Sequence, residues 1–165
     1  MTLPIAEDLP KAIKHLELLV FPSFDQEDAW SLGCTLRNEA IQIGKGVAIE
    51  ITRGSEQLFF TLMPGADQVN VDWIRRKRNL VNLTKKSSYE TGLQIKFFET
   101  PAEVVDLNYD DYAWHGGGFP IVLSNGDHVA TVVVSGLPQR ADHKLVTDVV
   151  AKFLSIDLGD YSLKN

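Results

Sequence analysis

Apolar side chains recur at helical spacing in four stretches of the chain. Leu9, Ile13, Leu16 and Val20 form the first stripe, predicting a helix over 7–20. Ala29, Leu32, Leu36, Ala40 and Ile43 form the second, and a third helix is expected from Asn70 to about Leu83. Leu145, Val146, Val149, Val150, Phe153 and Leu154 give the last helix an apolar face. Between the stripes lie runs with strand character. GVAIEIT and EQLFFTL, joined by RGS, read as a hairpin; GLQIKFFE (92–99) reads as a strand. FPIVLS and DHVATVVVS flank Asn125-Gly126, a pair suited to the positive φ angles of a tight turn, and read as a second hairpin with Val132 and Val134 buried. The order αα, ββ, α, β, ββ, α predicts an α+β fold, a mainly antiparallel sheet of about five strands with helices packed on it.

Local signals bound these elements. FPSF ends the first helix, Asp25 stands where an N-cap belongs, and Phe24 is placed to staple onto the first turn. Asn70 is the expected cap of the third helix. Trp30, Cys34 and Ile41 make a second apolar line on the second helix, so that helix is expected to bury two sides, one of them against a partner subunit.

With 165 residues the chain is the size of one ordinary domain, and residues 1–165 are expected to form one, with 1–22 as an N-terminal helical extension. No apolar run approaches the roughly 20 residues of a bilayer span. The start, with Glu7 and Asp8, does not read as a secretory signal, and the expected compartment is the cytoplasm. A single cysteine, Cys34, excludes an internal disulfide and a multi-thiolate metal site. A net charge of -6 argues against general nucleic-acid affinity.

The chemistry concentrates in DYAWHGGGFPI (111–121). A His followed by three glycines is how many esterases build an oxyanion hole, but that use needs a serine in G-x-S-x-G, which the chain lacks. Ser135 has only a short tail beyond it for an acid and a base, and the antiparallel pattern differs from a hydrolase sheet. Phosphate-binding glycine loops open a helix, whereas this run leads into a strand. Gly116, Gly117 and Gly118 therefore read first as a bend or a close backbone approach, with a ligand cradle as the alternative. His115 beside them and His143, next to Asp142 at the start of the last helix, are the candidate titrating or iron-ligating groups, each weighed against a plain hydrogen-bonding role. Asp142 has an independent explanation in the helix dipole. His15 is expected on a helix surface and His128 in a strand. In RRKR (75–78), Arg76 is expected to pair with Asp72, while Lys77 falls on an apolar stripe, where its ammonium must find an acceptor: a carboxylate of another subunit or an anionic ligand. The candidate ligand-binding set is Lys77, His115, Gly116, Gly117, Gly118, Ser135, Asp142 and His143; no metal site is expected.

YAWHGGGFPI together with VVVSGLPQRADHKLV resembles the HbpS-like superfamily of heme-binding and GlcG-like proteins, in the uncharacterised branch sometimes labelled heme-degrading. FDQEDAWSLG (24–33), VAIEI (47–51), DWIRRKR (72–78) and the serines at 87 and 88 extend the resemblance over nearly the whole chain. It implies a profilin-like α/β/α sandwich, a homo-oligomer of two or more subunits, and a small-ligand-binding protein with heme among the candidate ligands. It assigns no residue of this chain to heme contact. A non-enzymatic oligomeric adaptor for a protein partner, and an enzyme using His115 or His143 as acid or base, stay open beside it.

Overall fold

The computed structural model describes residues 4–165, so residues 1–3 of the expected N-terminal extension lie outside the described residues. Helix α1 (Asp8–Leu18) is followed by a two-residue strand β1 (Val20–Phe21), and α2 spans Gln26–Ile43. The hairpin β2 (Ala48–Arg53) and β3 (Glu56–Leu62) leads to α3 (Gln68–Thr84) and α4 (Ser88–Lys96). The hairpin β4 (Gly118–Leu123) and β5 (His128–Ser135) precedes α5 (Gln139–Phe153). The sheet order is β1-β4-β5-β2-β3, antiparallel throughout except for β1, which runs parallel to β4.

The period-two alternation of the central strands decides the layers. Ile49 and Ile51 of β2 and Val132 and Val134 of β5 join Leu32, Leu36, Val146 and Val150 in one core, so α2 and α5 cover that face. Ala48 and Val133 pack instead with Ile74, and Glu50 is paired to Arg78, so α3 covers the other. Helices on both faces of an antiparallel sheet are the expected α/β/α sandwich. β5 is buried on both faces, as its unbroken apolar run requires.

Capping accounts for the two long helices. Asp28 N–H donates to Asp25 Oδ1 (3.0 Å) and Asp25 N–H to Asp28 Oδ2 (2.9 Å), and Gly44 ends α2 at φ 79. The cap of α3 is Asp67, three residues before the expected one; Asn70 is the third helical residue, whose side chain accepts from Asp67 N–H. Both side chains can cap, and the aspartate starts the helix one turn earlier.

GLQIKFFE is not a strand: residues 92–96 belong to α4. Ser87 caps that helix, and Tyr89 and Leu93, four apart, bury one face against Ala12 and Leu163. A short apolar run satisfies either period. Here β1 holds the sheet edge beside β4; its Val20 was expected as the last residue of the first helix and its Phe21 as part of the stop, whereas α1 ends at Leu18.

Candidate functional site

Helix α3 crosses the sheet with Ile74, Lys77 and Val81 facing inward. The acceptor that Lys77 requires lies within its own chain. Its ammonium donates to Asp142 Oδ2 (3.2 Å) and to the Val134 carbonyl (3.1 Å), and both charged side chains are almost fully buried, at 3 % and 2 % exposure. The acceptor was hidden in the sequence because 65 residues separate the two. Asp142, in the first turn of α5, also accepts from Leu137 N–H (3.0 Å) and Gly136 N–H (3.4 Å), and so ties the β5–α5 connection to the lysine. Burial lowers the Lys77 pKa against the attraction of Asp142, and burial raises the Asp142 pKa to about 6 against the attraction of Lys77. Both shifts point the same way: desolvation narrows the gap between the ionic pair and its neutral form, which hold the same single proton.

The glycine run passes behind this pair. A Cβ on Gly116 would lie 2.2 Å from the Gln139 carbonyl, and one on Gly117, at φ +131, would lie 2.2 Å from the Val134 carbonyl and 2.9 Å from Lys77 Nζ. Gly116 N–H donates to Gln139 Oε1 (3.1 Å) and Gly118 N–H to Ser88 Oγ (2.9 Å), while Gly117 accepts from Val134 N–H (3.0 Å). The glycines let β4 enter the sheet against α5 and leave room for the lysine head. Two of their three amides already have partners.

In front of the pair opens a cleft of about 250 Å³, walled by Trp73 and His115, with Asn70, Ser135 and Gln139 at its sides and Lys77 and Asp142 at its floor. His115 packs edge-on against Trp73 with ring centroids 4.9 Å apart, and its Nδ1 is buried without a hydrogen-bond partner. Burial, then the charges of Lys77 and Arg76, lower its pKa, so it is neutral at physiological pH. Arg76 does not pair with Asp72, which Arg75 holds at 3.0 Å. Its guanidinium instead stacks between Trp73 and Tyr109, 4.5 and 4.4 Å from the ring centroids, and donates to the Tyr109 carbonyl.

Of the sequence candidates, Lys77, His115, Ser135 and Asp142 line the cleft, and Gly116, Gly117 and Gly118 are buried behind it. His143 does not reach it. It is fully buried on the other side of α5, with Nε2 3.0 Å from Nδ1 of His15. His15 is thus not a surface residue, and the C-terminal tail explains why: His15 Nε2 lies 2.7 Å from the Tyr161 carbonyl, and Leu163 packs beside α1. A carbonyl only accepts, so His15 carries its proton on Nε2; its Nδ1 then accepts from His143 Nε2–H, leaving His143 Nδ1 a buried lone pair without a partner. Burial lowers the pKa of both rings. Beside them Asp8, wholly buried, accepts from Tyr89 Oη (2.5 Å) and Arg140 Nε (2.7 Å). Trp73, Asn70 and Gln139 of the cleft were missed from sequence, although Asn70, Trp73 and Lys77 share one helical face at i, i+3 and i+7.

Among the described residues no group of three or more His, Cys, Asp or Glu could hold a metal ion. At about 250 Å³ the cleft is smaller than the roughly 300–1,000 Å³ usual for drug-sized ligands, so it would not enclose a tetrapyrrole. No helix among the described residues is long and apolar enough to cross a membrane.

Known proteins share this architecture. The chain is 42% identical over 160 residues to a UPF0303 protein of Paraburkholderia phymatum, covering 96% of this chain and 97% of the other. The crystal structure of Ybr137w protein superposes with a TM-score of 0.81 at 29% identity, over 89% of this chain and 87% of that one. The crystal structure of a PduOC:heme complex superposes at 0.66 and 17% identity, over 78% and 94%, and shares the fold. A family model described as "Haem degrading protein HbpS-like" matches residues 24–151, which contain both hairpins, α3 and every residue named in the cleft, and the chain belongs to that HbpS-like family.

Proposed function

We propose that this protein binds a compact polar or anionic small molecule in the cleft between α3, the His–Gly run and the start of α5. The observation that carries the reading is a buried lysine–aspartate pair at the floor of an open cleft whose walls are an aromatic ring, a neutral imidazole and uncharged donors. A few convergent polar groups set in a concave, partly apolar surface is the usual make-up of a small-molecule site. The heme named in the PduOC relative is the second reading, supported by that likeness in fold and opposed by the cleft volume. Native mass spectrometry of freshly purified protein separates the two. A retained small ligand that is lost on Trp73→Ala supports the cleft; a retained heme with a Soret band that His115→Ala alters replaces it.

We take the working form to be a cytoplasmic homo-oligomer. Trp30 and Ile41, three turns apart, leave an apolar line exposed on α2, with Trp30 packed edge-on against Phe59 of β3 at the sheet edge, and the unpaired Cys34 suits a reducing compartment. The same surface would serve a protein partner in the adaptor reading, which a monomer in solution would favour.

A further inference from the structure

We propose that Lys77 is a carbonyl-capturing amine: resting on the ligand-binding reading above, the cleft takes a small aldehyde or 2-oxo acid, which condenses with Lys77 Nζ to an imine. Four observations place the needed parts together. Lys77 lies at the floor of the cleft although its side chain is only 3 % exposed, so a molecule in the cleft meets the amine while bulk water largely does not. An exposed lysine is held protonated and unreactive by hydration; burial of Lys77 disfavours that charge. Once the proton that leaves Nζ has passed through Asp142 and on, Nζ spends its two N–H bonds on the Val134 carbonyl and the Asp142 carboxylate, and neither contact engages its lone pair. Proton-handling groups are at hand in Asp142, whose pKa of about 6 lets it both take and give a proton, and in the neutral His115.

The step balances without an oxidant or a reductant. The Lys77 ammonium first gives one proton to Asp142, which hands it on; the freed Nζ lone pair bonds to the carbonyl carbon, Nζ gives up a second proton as the carbonyl oxygen takes one up, and a neutral carbinolamine results. Its hydroxyl then leaves with a second proton as water while the nitrogen lone pair closes the C=N bond. One carbonyl compound and one lysine ammonium give one protonated imine and one water. Asn70, Gln139 and Ser135 supply uncharged donors for a carboxylate on the same small molecule, and the cleft volume of about 250 Å³ limits that molecule to a few carbons. Lys45 and Lys152 line a separate, wider groove, but both are exposed to solvent where Lys77 is buried.

The test is reductive trapping on the full chain with glyoxylate as probe and cyanoborohydride as hydride donor, read by intact mass and peptide mapping. The expected result is one adduct, on Lys77, formed at least tenfold faster than on Lys45 or Lys152, with a rate that rises with pH. Lys77→Met keeps the aliphatic stem and removes the adduct. Because that variant can lose stability, the decisive readout is the map of the wild-type protein: glyoxylate spread over exposed lysines with Lys77 unmodified overturns the inference. Calorimetric titration with glyoxylate, without hydride, tells the two failures apart. Heat of binding that Trp73→Ala abolishes, without a Lys77 adduct, leaves the ligand site standing and removes only the imine; a cleft that holds neither glyoxylate nor any native ligand removes both.

Discussion

Replacing Gly117 by alanine should combine a strained backbone angle with a steric clash against the central strand. The residue sits at φ +131, a region that side chains rarely enter, which costs on the order of 1–3 kcal/mol. The new Cβ would lie 2.2 Å from the Val134 carbonyl oxygen, and reaching ordinary contact at 3.4 Å requires a shift of about 1.2 Å in backbone that belongs to the central strand β5. That shift breaks the bond from Val134 N–H to the Gly117 carbonyl, worth about 1 kcal/mol net, and presses on Lys77 Nζ, 2.9 Å from the same Cβ. The expected loss is about 2–4 kcal/mol, or roughly 4–16 °C in Tm at about 2–4 °C per kcal/mol for a chain of this size. Gly126→Ala is the control: its φ is +94 but its Cβ would meet nothing within 4 Å, so it bears strain alone. Urea denaturation of both variants measures the difference. A Gly117→Ala protein no less stable than Gly126→Ala would refute the close-approach argument and return the glycines to the ligand-cradle reading.

Further predictions concern the buried polar groups and the exposed apolar line. His15 and His143 have lowered pKa values in the folded chain, so below about pH 6.5 the unfolded chain binds protons that the folded one does not, and stability should fall as pH drops from 7 to 5; in a His15→Phe, His143→Phe double variant this acid dependence should weaken, as a pH series of denaturation curves would show. Lys77→Met leaves Asp142 buried without its cation and should cost about 3–5 kcal/mol, with Asp142→Asn in the same chain recovering most of it. In Lys77→Met alone, loss of the cation pushes the Asp142 pKa up further, so the folded chain holds a proton that the unfolded carboxyl, near 4, has lost, and stability should fall as pH rises from about 4 through 6, opposite in sign to the histidine effect. Trp30→Glu with Ile41→Glu should shift the protein to monomer in light scattering at micromolar concentration; a wild-type monomer under those conditions would contradict the oligomer proposal.

The second hairpin and the last helix were legible because their signals are local. Asn125-Gly126 closes a turn between neighbours that pair as expected, His128 to Ser135 is a strand buried on both faces, and the apolar face of α5 repeats without interruption. Asp25 was legible for the same reason, since a cap acts on amides two and three residues away. The segment at 92–99 was not, because a short apolar run fits both periods and the choice depended on whether β1 or this segment reached the edge of β4.

The site shows the same division. The chain's own residues identified a titratable, glycine-rich locus, an unmatched lysine on an apolar stripe and an aspartate at a helix start, since each is anomalous within its own element. That Lys77 and Asp142 answer one another, that His143 turns to His15 instead of His115, and that Trp73 and Gln139 complete the cleft were decided only by packing. A buried charge or imidazole must find a partner wherever the fold brings one within about 3 Å, and such partners, 65 and 128 residues apart here, leave no mark in the periodicity of either element.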